Sequence, residues 1–235
     1  MQNILEVKNL IVSFNNEKVI DHLSFNLRQG ENLVIVGPNG AGKTVLLKTL
    51  IGMIPFKGEI KWQENIKIGY VPQRILPERN IPLSVNDFFK FKSSILPDLK
   101  IDSQKVFESL KSVGISDLSI LEKKIGVIST GLLQRILIAW ALIDSPQVLL
   151  FDEPFAGIDI EGEETIYNLL SQIKKERNLT IILITHDLNV VYDFADSVLC
   201  LNKKLICYGS PKRVLTPNSL SQLYGGEIKF YKHKH

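Results

Sequence analysis

The chain has 235 residues, 45% hydrophobic and 23% charged, a balance that excludes a disordered or fibrous protein and suits one large domain with a buried core. Its formal net charge of +3 is small and scattered, which does not read as a nucleic-acid surface, although it would not discourage docking beside an anionic membrane leaflet. No apolar run approaches the roughly 18 residues needed to cross a bilayer, and the N-terminus, with Glu6 among its aliphatics, does not read as a signal peptide, so any membrane role is expected to come through a partner.

From Leu5 to Phe14 apolar and polar residues alternate, and Val19 to Leu27 repeats the pattern after the polar turn Asn15-Asn16-Glu17. This predicts an antiparallel pair. Phe14 closes the first strand, either as a half-exposed aromatic on a sheet edge or as a platform on which a base stacks. Gly30-Glu31 then turns the chain into a buried strand, Asn32 to Val36, and the next eight residues are Gly37-Pro38-Asn39-Gly40-Ala41-Gly42-Lys43-Thr44. They fit G-x-x-x-x-G-K-[ST] at every fixed position, and a helical pattern from Val45 to Ile51 follows, the strand-before, helix-after context that the motif requires. Such a loop curls its backbone N–H groups around a polyphosphate and sets the positive end of the helix against it. Lys43 is expected to reach the β- and γ-phosphates, and the Thr44 hydroxyl to ligate Mg²⁺.

Two further strands are predicted at Gly58 to Trp62 and Ile66 to Val71, the second stopped by Pro72, which lacks a ladder N–H. Composition then shifts to charge and proline, and Ser84-Val85-Asn86-Asp87 opens a helical pattern with a capping-box-like start. Between Ser103 and Val113 the residues Val106, Phe107, Leu110 and Val113 share one helical face, and another helix is predicted from about Thr130 to Ile143. Arg74 to Ser145 therefore reads as a helical insertion in an α/β core. The core resumes at Val148-Leu149-Leu150-Phe151, a wholly apolar run suited to a parallel strand buried on both faces.

That strand ends in Asp152-Glu153, at the carboxyl edge where ligands bind in open α/β sheets. An amphipathic helix from Glu161 to Glu176 leads to a strand at Ile181 to Thr185, which delivers His186 and Asp187 at its end. Strand, helix and strand in this order predict a parallel sheet. Ser197 to Leu201 and Lys204 to Tyr208 read as a hairpin across Asn202-Lys203, and a short helical tail is expected after Pro211. The two cysteines, Cys200 and Cys207, are expected as reduced thiols on adjacent strands. The basic end, Lys229 to His235, is expected to fray, with His233 and His235 either solvated or touching a metal.

A phosphate loop, an acid pair at the end of one strand and a histidine at the end of another form a coherent nucleotide-hydrolysis set, since phosphoryl transfer needs mainly positioning and charge stabilisation. Asp152 would hold Mg²⁺ with Thr44, and Glu153 would act as general base on the attacking water. His186 is either a γ-phosphate contact or a core or capping histidine.

Taken together these residues resemble the ABC transporter ATPases over nearly the whole chain. Beyond Gly37 to Thr44 and Val148 to Glu153, Tyr70-Val71-Pro72-Gln73 is similar to the family's Q-loop, Ala156-Gly157-Ile158-Asp159 to its D-loop, and Thr185-His186-Asp187 to its switch histidine. The resemblance implies a P-loop NTPase core, a mostly parallel sheet plus an antiparallel β-subdomain, in residues 1–73 and 146–235, with the helical subdomain in 74–145. It implies ATP and Mg²⁺ as cofactors, held by residues 37–45 with Val45 at the end of the cradle, and Phe14 stacked on adenine. Gln73 would sense the Mg²⁺ and γ-phosphate site, and Ser129, Gly131 and Asp159 would face nucleotide across an ATP-bound homodimer. The partners implied are integral membrane permease subunits and, indirectly, an extracytoplasmic metal-binding protein, with this chain at the cytoplasmic face of a bacterial plasma membrane.

The signature segment departs from the family. Ile128-Ser129-Thr130-Gly131-Leu132-Leu133-Gln134-Arg135 aligns with Leu-Ser-Gly-Gly-Gln and its following helix, but Thr130 stands where glycine is usual, Leu132 where Gln or Glu is, and Trp140 where arginine is. Thr130 adds a β-branched side chain where close backbone approach is expected. Either the loop tolerates it with slower turnover, or ATP closes the dimer poorly. The stretches Lys67 to Gln73, Ile81 to Val85 and Ser197 to Pro211, and the Tyr-Lys-His-Lys-His end, look most like ATPases of bacterial zinc and manganese importers. The rival expectations are an iron-chelate, haem or cobalamin cargo, or an ATP-dependent dimerisation switch with little hydrolysis.

Overall fold

Two twelve-residue strands, β1 (Asn3–Phe14) and β2 (Glu17–Arg28), pair antiparallel. The turn between them is Asn15-Asn16, both at positive φ (48° and 66°), which asparagine tolerates better than most residues and which matches the twist of a two-residue hairpin. The computed structural model describes residues 2–73, 82–95, 100–154 and 160–225. The chain divides into two units, Met1–Glu64 with Thr180–His235, and Asn65–Leu179. Arg74, the segment Ala156-Gly157-Ile158-Asp159, Ile81 and the tail with His233 and His235 lie outside the described residues.

In the first unit β4 (Lys57–Trp62) joins the other edge of β1, giving the antiparallel order β2-β1-β4. A register shift between Val7 and Leu10, with Asn9 at φ 48°, changes which residues of β1 face inward, so Leu5 and Val7 bury before it and Leu10 and Val12 after it. A second sheet runs β7 (Thr180–Ile184), β3 (Asn32–Val36), β8 (Ser197–Asn202) and β9 (Lys204–Gly209) in that order. In it β3 is parallel to both β7 and β8, and β9 returns antiparallel to β8. Every residue of β3 and β7 is buried, the condition that wholly apolar runs predict. The N-terminal edge is pinned by side chains: Gly30 N–H donates to Thr180 Oγ1 at 2.9 Å, and Asn32 N–H to Asp196 Oδ2 at 2.8 Å.

Helix α1 (Lys43–Leu50) follows β3, and the indole N–H of Trp62 donates to Leu50 O at its C-terminal end, 2.9 Å away.

The cysteines correct the sequence reading. They do lie on adjacent strands, but Cys200 and Cys207 are register partners 4.9 Å apart at Cα, within bridging range, and their sulfurs are joined in a disulfide. Spacing along the chain gave no sign of that register.

In the second unit β5 (Ile68–Val71) is parallel to β6 (Val148–Asp152). Its α-helices among the described residues are α2 (Val85–Ile95), α3 (Ser103–Ser112), α4 (Thr130–Leu142) and α5 (Ile160–Arg177). The capping box expected at Ser84 forms: Asp87 N–H donates to Ser84 Oγ at 3.1 Å, and Ser84 N–H to Asp87 Oδ2 at 3.4 Å. On α3 and its C-cap, Val106, Leu110 and Val113 bury as predicted, while Phe107 stays half-exposed and Ser109 is buried beside them. The Ser109 hydroxyl is accommodated because it donates to Ala139 O of α4. Back in the first unit, α6 (Leu188–Phe194), α7 (Pro211–Val214) and α8 (Pro217–Tyr224) are the helices of the later described residues. Among the described residues no helix is long and apolar enough to cross a membrane.

Candidate functional site

The first unit carries the phosphate loop and the histidine on one sheet edge. Parallel pairing sets Ile35 opposite Ile184, and Thr185 N–H donates to Ile35 O at 3.4 Å, so the loop after Val36 and the Thr185-His186 segment leave adjacent strands side by side. His186 is exposed. Its neighbour Asp187 has a structural task, accepting from Asn189 N–H at 2.8 Å to cap α6.

The phosphate loop is braced from behind. A Cβ on Gly37 would run into the carbonyl oxygen of Leu201, and one on Gly42, which has φ +97°, would lie 3.0 Å from Val19 O. Only glycine allows that approach to β8 and β2. Ala41 O accepts from Lys203 N–H at 3.1 Å, and Lys203 O accepts from Asp21 N–H at 2.8 Å, so the β8–β9 turn ties the loop to β2. Asp21 in turn gathers Lys18, His22 and Lys204 at 2.7, 2.8 and 3.3 Å. Hydrogen bonds from Lys18 and then His22 hold its carboxyl well below the usual range. This brace joins residues remote in sequence, and nothing local signalled it.

Inside the loop Lys43 is only 6% exposed, and its ammonium donates to Gly37 O at 2.9 Å and Pro38 O at 3.1 Å. Helix α1 starts with no side-chain cap and no acidic residue in its first turn, leaving its positive end unneutralised by any carboxylate of its own. Gly40, at φ +77°, has open space where its Cβ would be, on a loop where Asn39 is also exposed. Thr44 and Val45 are half-buried, as is Pro38. Phe14 is 45% exposed at the tip of the β1–β2 hairpin, opposite Glu17, and the same hairpin meets the loop at Val19 and Ile20. A large aromatic left in solvent on the hairpin that meets the loop suits base stacking.

The second unit carries the carboxylates. Asp152, 2% exposed, ends β6 and Glu153 follows it, and the parallel strand β5 ends next to them. From β5 and the residues after it come two donors: Tyr70 hydroxyl to Asp152 Oδ2 at 3.3 Å, and Gln73 Nε2 to Glu153 Oε2 at 2.6 Å. Glu153 has φ 45°, a left-handed backbone that a β-carbon disfavours. Gln73 was predicted here from resemblance; Tyr70 was not singled out for a role of its own. Burial, and then the charge of Asp152, push the Tyr70 hydroxyl pKa up, so it stays a donor.

Ser129 is the N-cap position of α4, exposed and without a side-chain cap bond. None of residues 128–135 has a positive φ, and a Cβ on Gly131 would meet nothing within 4 Å. Thr130 is the first helical residue and exposed, so the backbone here does not demand glycine. Further along, the Trp140 indole donates to Phe88 O at 3.2 Å, while Lys92 Nζ donates to Trp140 O at 2.7 Å and lies 4.5 Å from the ring centroid.

Residues 20–156 match the model of the family described as ABC transporter. The chain belongs to that family. This ABC transporter chain is 34% identical, over all of both proteins, to the zinc import ATP-binding protein ZnuC of Wigglesworthia glossinidia brevipalpis. To the protein of the same name from Photorhabdus laumondii it is 35% identical, over 100% of this chain and 90% of that one. Among solved structures it resembles a metal-chelate type ABC transporter in an inward-facing conformation, with 28% identity and a TM-score of 0.84 over 95% of this chain and 89% of that one.

Proposed function

We propose that this chain is the ATP-hydrolysing subunit of an importer that moves a divalent metal ion, zinc or manganese, through a partner permease. The observation that carries the reading is the buried Lys43 ammonium curled back on a glycine loop, at the start of a helix with no acidic residue in its own first turn. That donor set fits a triphosphate, which would take the place of the Gly37 and Pro38 carbonyls as partner of the ammonium. Full-length likeness to zinc import ATP-binding proteins supports the cargo.

In this reading the backbone of residues 37–45 and Lys43 hold the phosphates, and Phe14 stacks on the adenine. Thr44 and Asp152 hold Mg²⁺, with Gln73 at its outer side. The ion, when bound, supplies positive charge across the phosphate oxygens. Glu153 accepts the proton of the attacking water, and His186 contacts the γ-phosphate. Ser129, Gly131 and Asp159 of one copy face the nucleotide of a second copy, so two chains close on ATP and reopen after hydrolysis. The pair would sit on the cytoplasmic face of a bacterial plasma membrane, held there by permease subunits and fed by an extracytoplasmic metal-binding protein. Likeness to a metal-chelate type transporter favours, as a second reading, an iron-chelate, haem or cobalamin cargo for the same chemistry.

Calorimetric titration with Mg-ATP is expected to give saturable heat that Lys43→Ala abolishes. Glu153→Gln is expected to bind ATP, accumulate as a dimer and hydrolyse at least about 100-fold more slowly. No heat from the parent chain would sink the reading. Vesicles holding the chain with the permease that co-purifies are expected to take up zinc or manganese on ATP addition; uptake of a chelate instead would select the second cargo.

A further inference from the structure

A carboxylate as buried as Asp152 needs donors for its oxygens, and the strand beside it furnishes one. Parallel pairing sets Tyr70 opposite Leu150 and Val71 opposite Phe151, which brings the phenol of Tyr70 to Oδ2 of Asp152, 3.3 Å away. Three residues on, Gln73 reaches Glu153 in the same way at 2.6 Å. Both acids at the end of β6, Asp152 and the following Glu153, are thus met from the β5 side by neutral donors. The neutrality matters. A lysine or arginine at position 70 would satisfy Asp152 equally but cancel the negative charge that a cation requires, whereas a phenol orients the carboxylate and leaves its charge in place.

We infer that Tyr70 is a positioning residue for the magnesium site, holding the Asp152 carboxylate in place through Oδ2. This rests on the Mg-ATP reading above and adds to it a residue that acts through Asp152 without touching nucleotide. Outer-shell donors of this kind typically change metal affinity by about 10- to 100-fold when removed. The 3.3 Å separation is long for an O–H to oxygen bond, which places the expected effect at or below the low end of that range.

Tyr70→Phe in the full chain tests it, because the ring and its packing remain and only the hydroxyl goes. ATP affinity measured calorimetrically in EDTA is expected to stay within about twofold of the parent, since no metal is involved. The Mg²⁺ concentration giving half-maximal hydrolysis at fixed ATP is expected to rise about three- to tenfold, with kcat at saturating Mg²⁺ nearly restored. Electron paramagnetic resonance of Mn²⁺ bound to the protein–ATP complex is expected to show the same loss of affinity, a readout independent of turnover. A half-saturating Mg²⁺ concentration within twofold of the parent would overturn the inference. So would an equal loss of ATP affinity with and without metal, which would show that the hydroxyl acts on the site independently of the cation. A parent chain that binds no Mg-ATP removes the reading beneath it, whereas a normal parent beside an unaltered Tyr70→Phe removes only this inference.

Discussion

At Gly37 an added methyl group would lie inside the carbonyl oxygen of Leu201, while at Gly40 it would meet nothing within 4 Å. The two glycines of one loop therefore serve different ends. Gly37 lets the loop press against β8, so Gly37→Ala must push the loop off its brace, and at least a tenfold loss of Mg-ATP affinity with a melting temperature several degrees lower is expected. Gly40→Ala meets only the strain of a left-handed backbone at φ +77°, about 1–2 kcal/mol, so its melting temperature falls less. It should also retain more affinity. Thermal melts and calorimetry on both variants decide it, and equal effects would show that the Leu201 contact does not shape the loop.

Helix α4 is tied to its neighbours by side-chain bonds in both directions. Ser109 of α3 donates to Ala139 O, Arg135 reaches back to Val113 O at 3.1 Å, and Lys92 of α2 donates to Trp140 O at 2.7 Å while Trp140 donates to Phe88 O of α2. Lys92 is 6% exposed, and burial lowers its pKa from the usual 10.5 to about 8. Two charges modulate that: Asp144 holds the pKa up and Lys67, paired with Asp144 at 3.0 Å, pushes it down. Between pH 8 and 10.5 the folded chain carries a neutral Lys92 and the unfolded chain a charged one. The unfolded state then binds more protons, so the linked stability rises with pH across that window and is lost as pH falls through about 8. In Lys92→Met the two carbonyls lose a donor but a buried charge also goes, and these offset in part at neutral pH. The slope separates them: in urea unfolding, the parent's advantage over Lys92→Met is expected to grow between pH 7.5 and 9.5. An advantage independent of pH would contradict it.

For the molecule as a whole, what was legible in the sequence was what local physics fixes. Strands β3, β6 and β7 are buried throughout, so their apolar runs needed no partner to be read. The phosphate loop shows itself through glycines within eight positions. What stayed hidden depends on pairs brought together by the fold: the register that faces Cys200 with Cys207, the Lys203–Ala41 bond, and the Tyr70–Asp152 contact across 82 positions. The signature segment lies between these cases. Its departures were visible, but their meaning hinged on backbone angles. Since Thr130 sits at the first helical position without a positive φ, the local fold accepts it, and in the proposed ATP-bound dimer any penalty would come from the surface it presents to the second copy. There a β-branched side chain would stand between the α4 N-terminus and an opposing phosphate. Thr130→Gly with Leu132→Gln should therefore leave ATP binding to a single chain unchanged, and raise both ATP-dependent dimerisation in the Glu153→Gln background and steady-state phosphate release several-fold. If release rises while dimerisation does not, the residue limits chemistry rather than closure. If neither moves, the parent segment already caps nucleotide as well as glycine would, and the switch with little hydrolysis loses its physical basis.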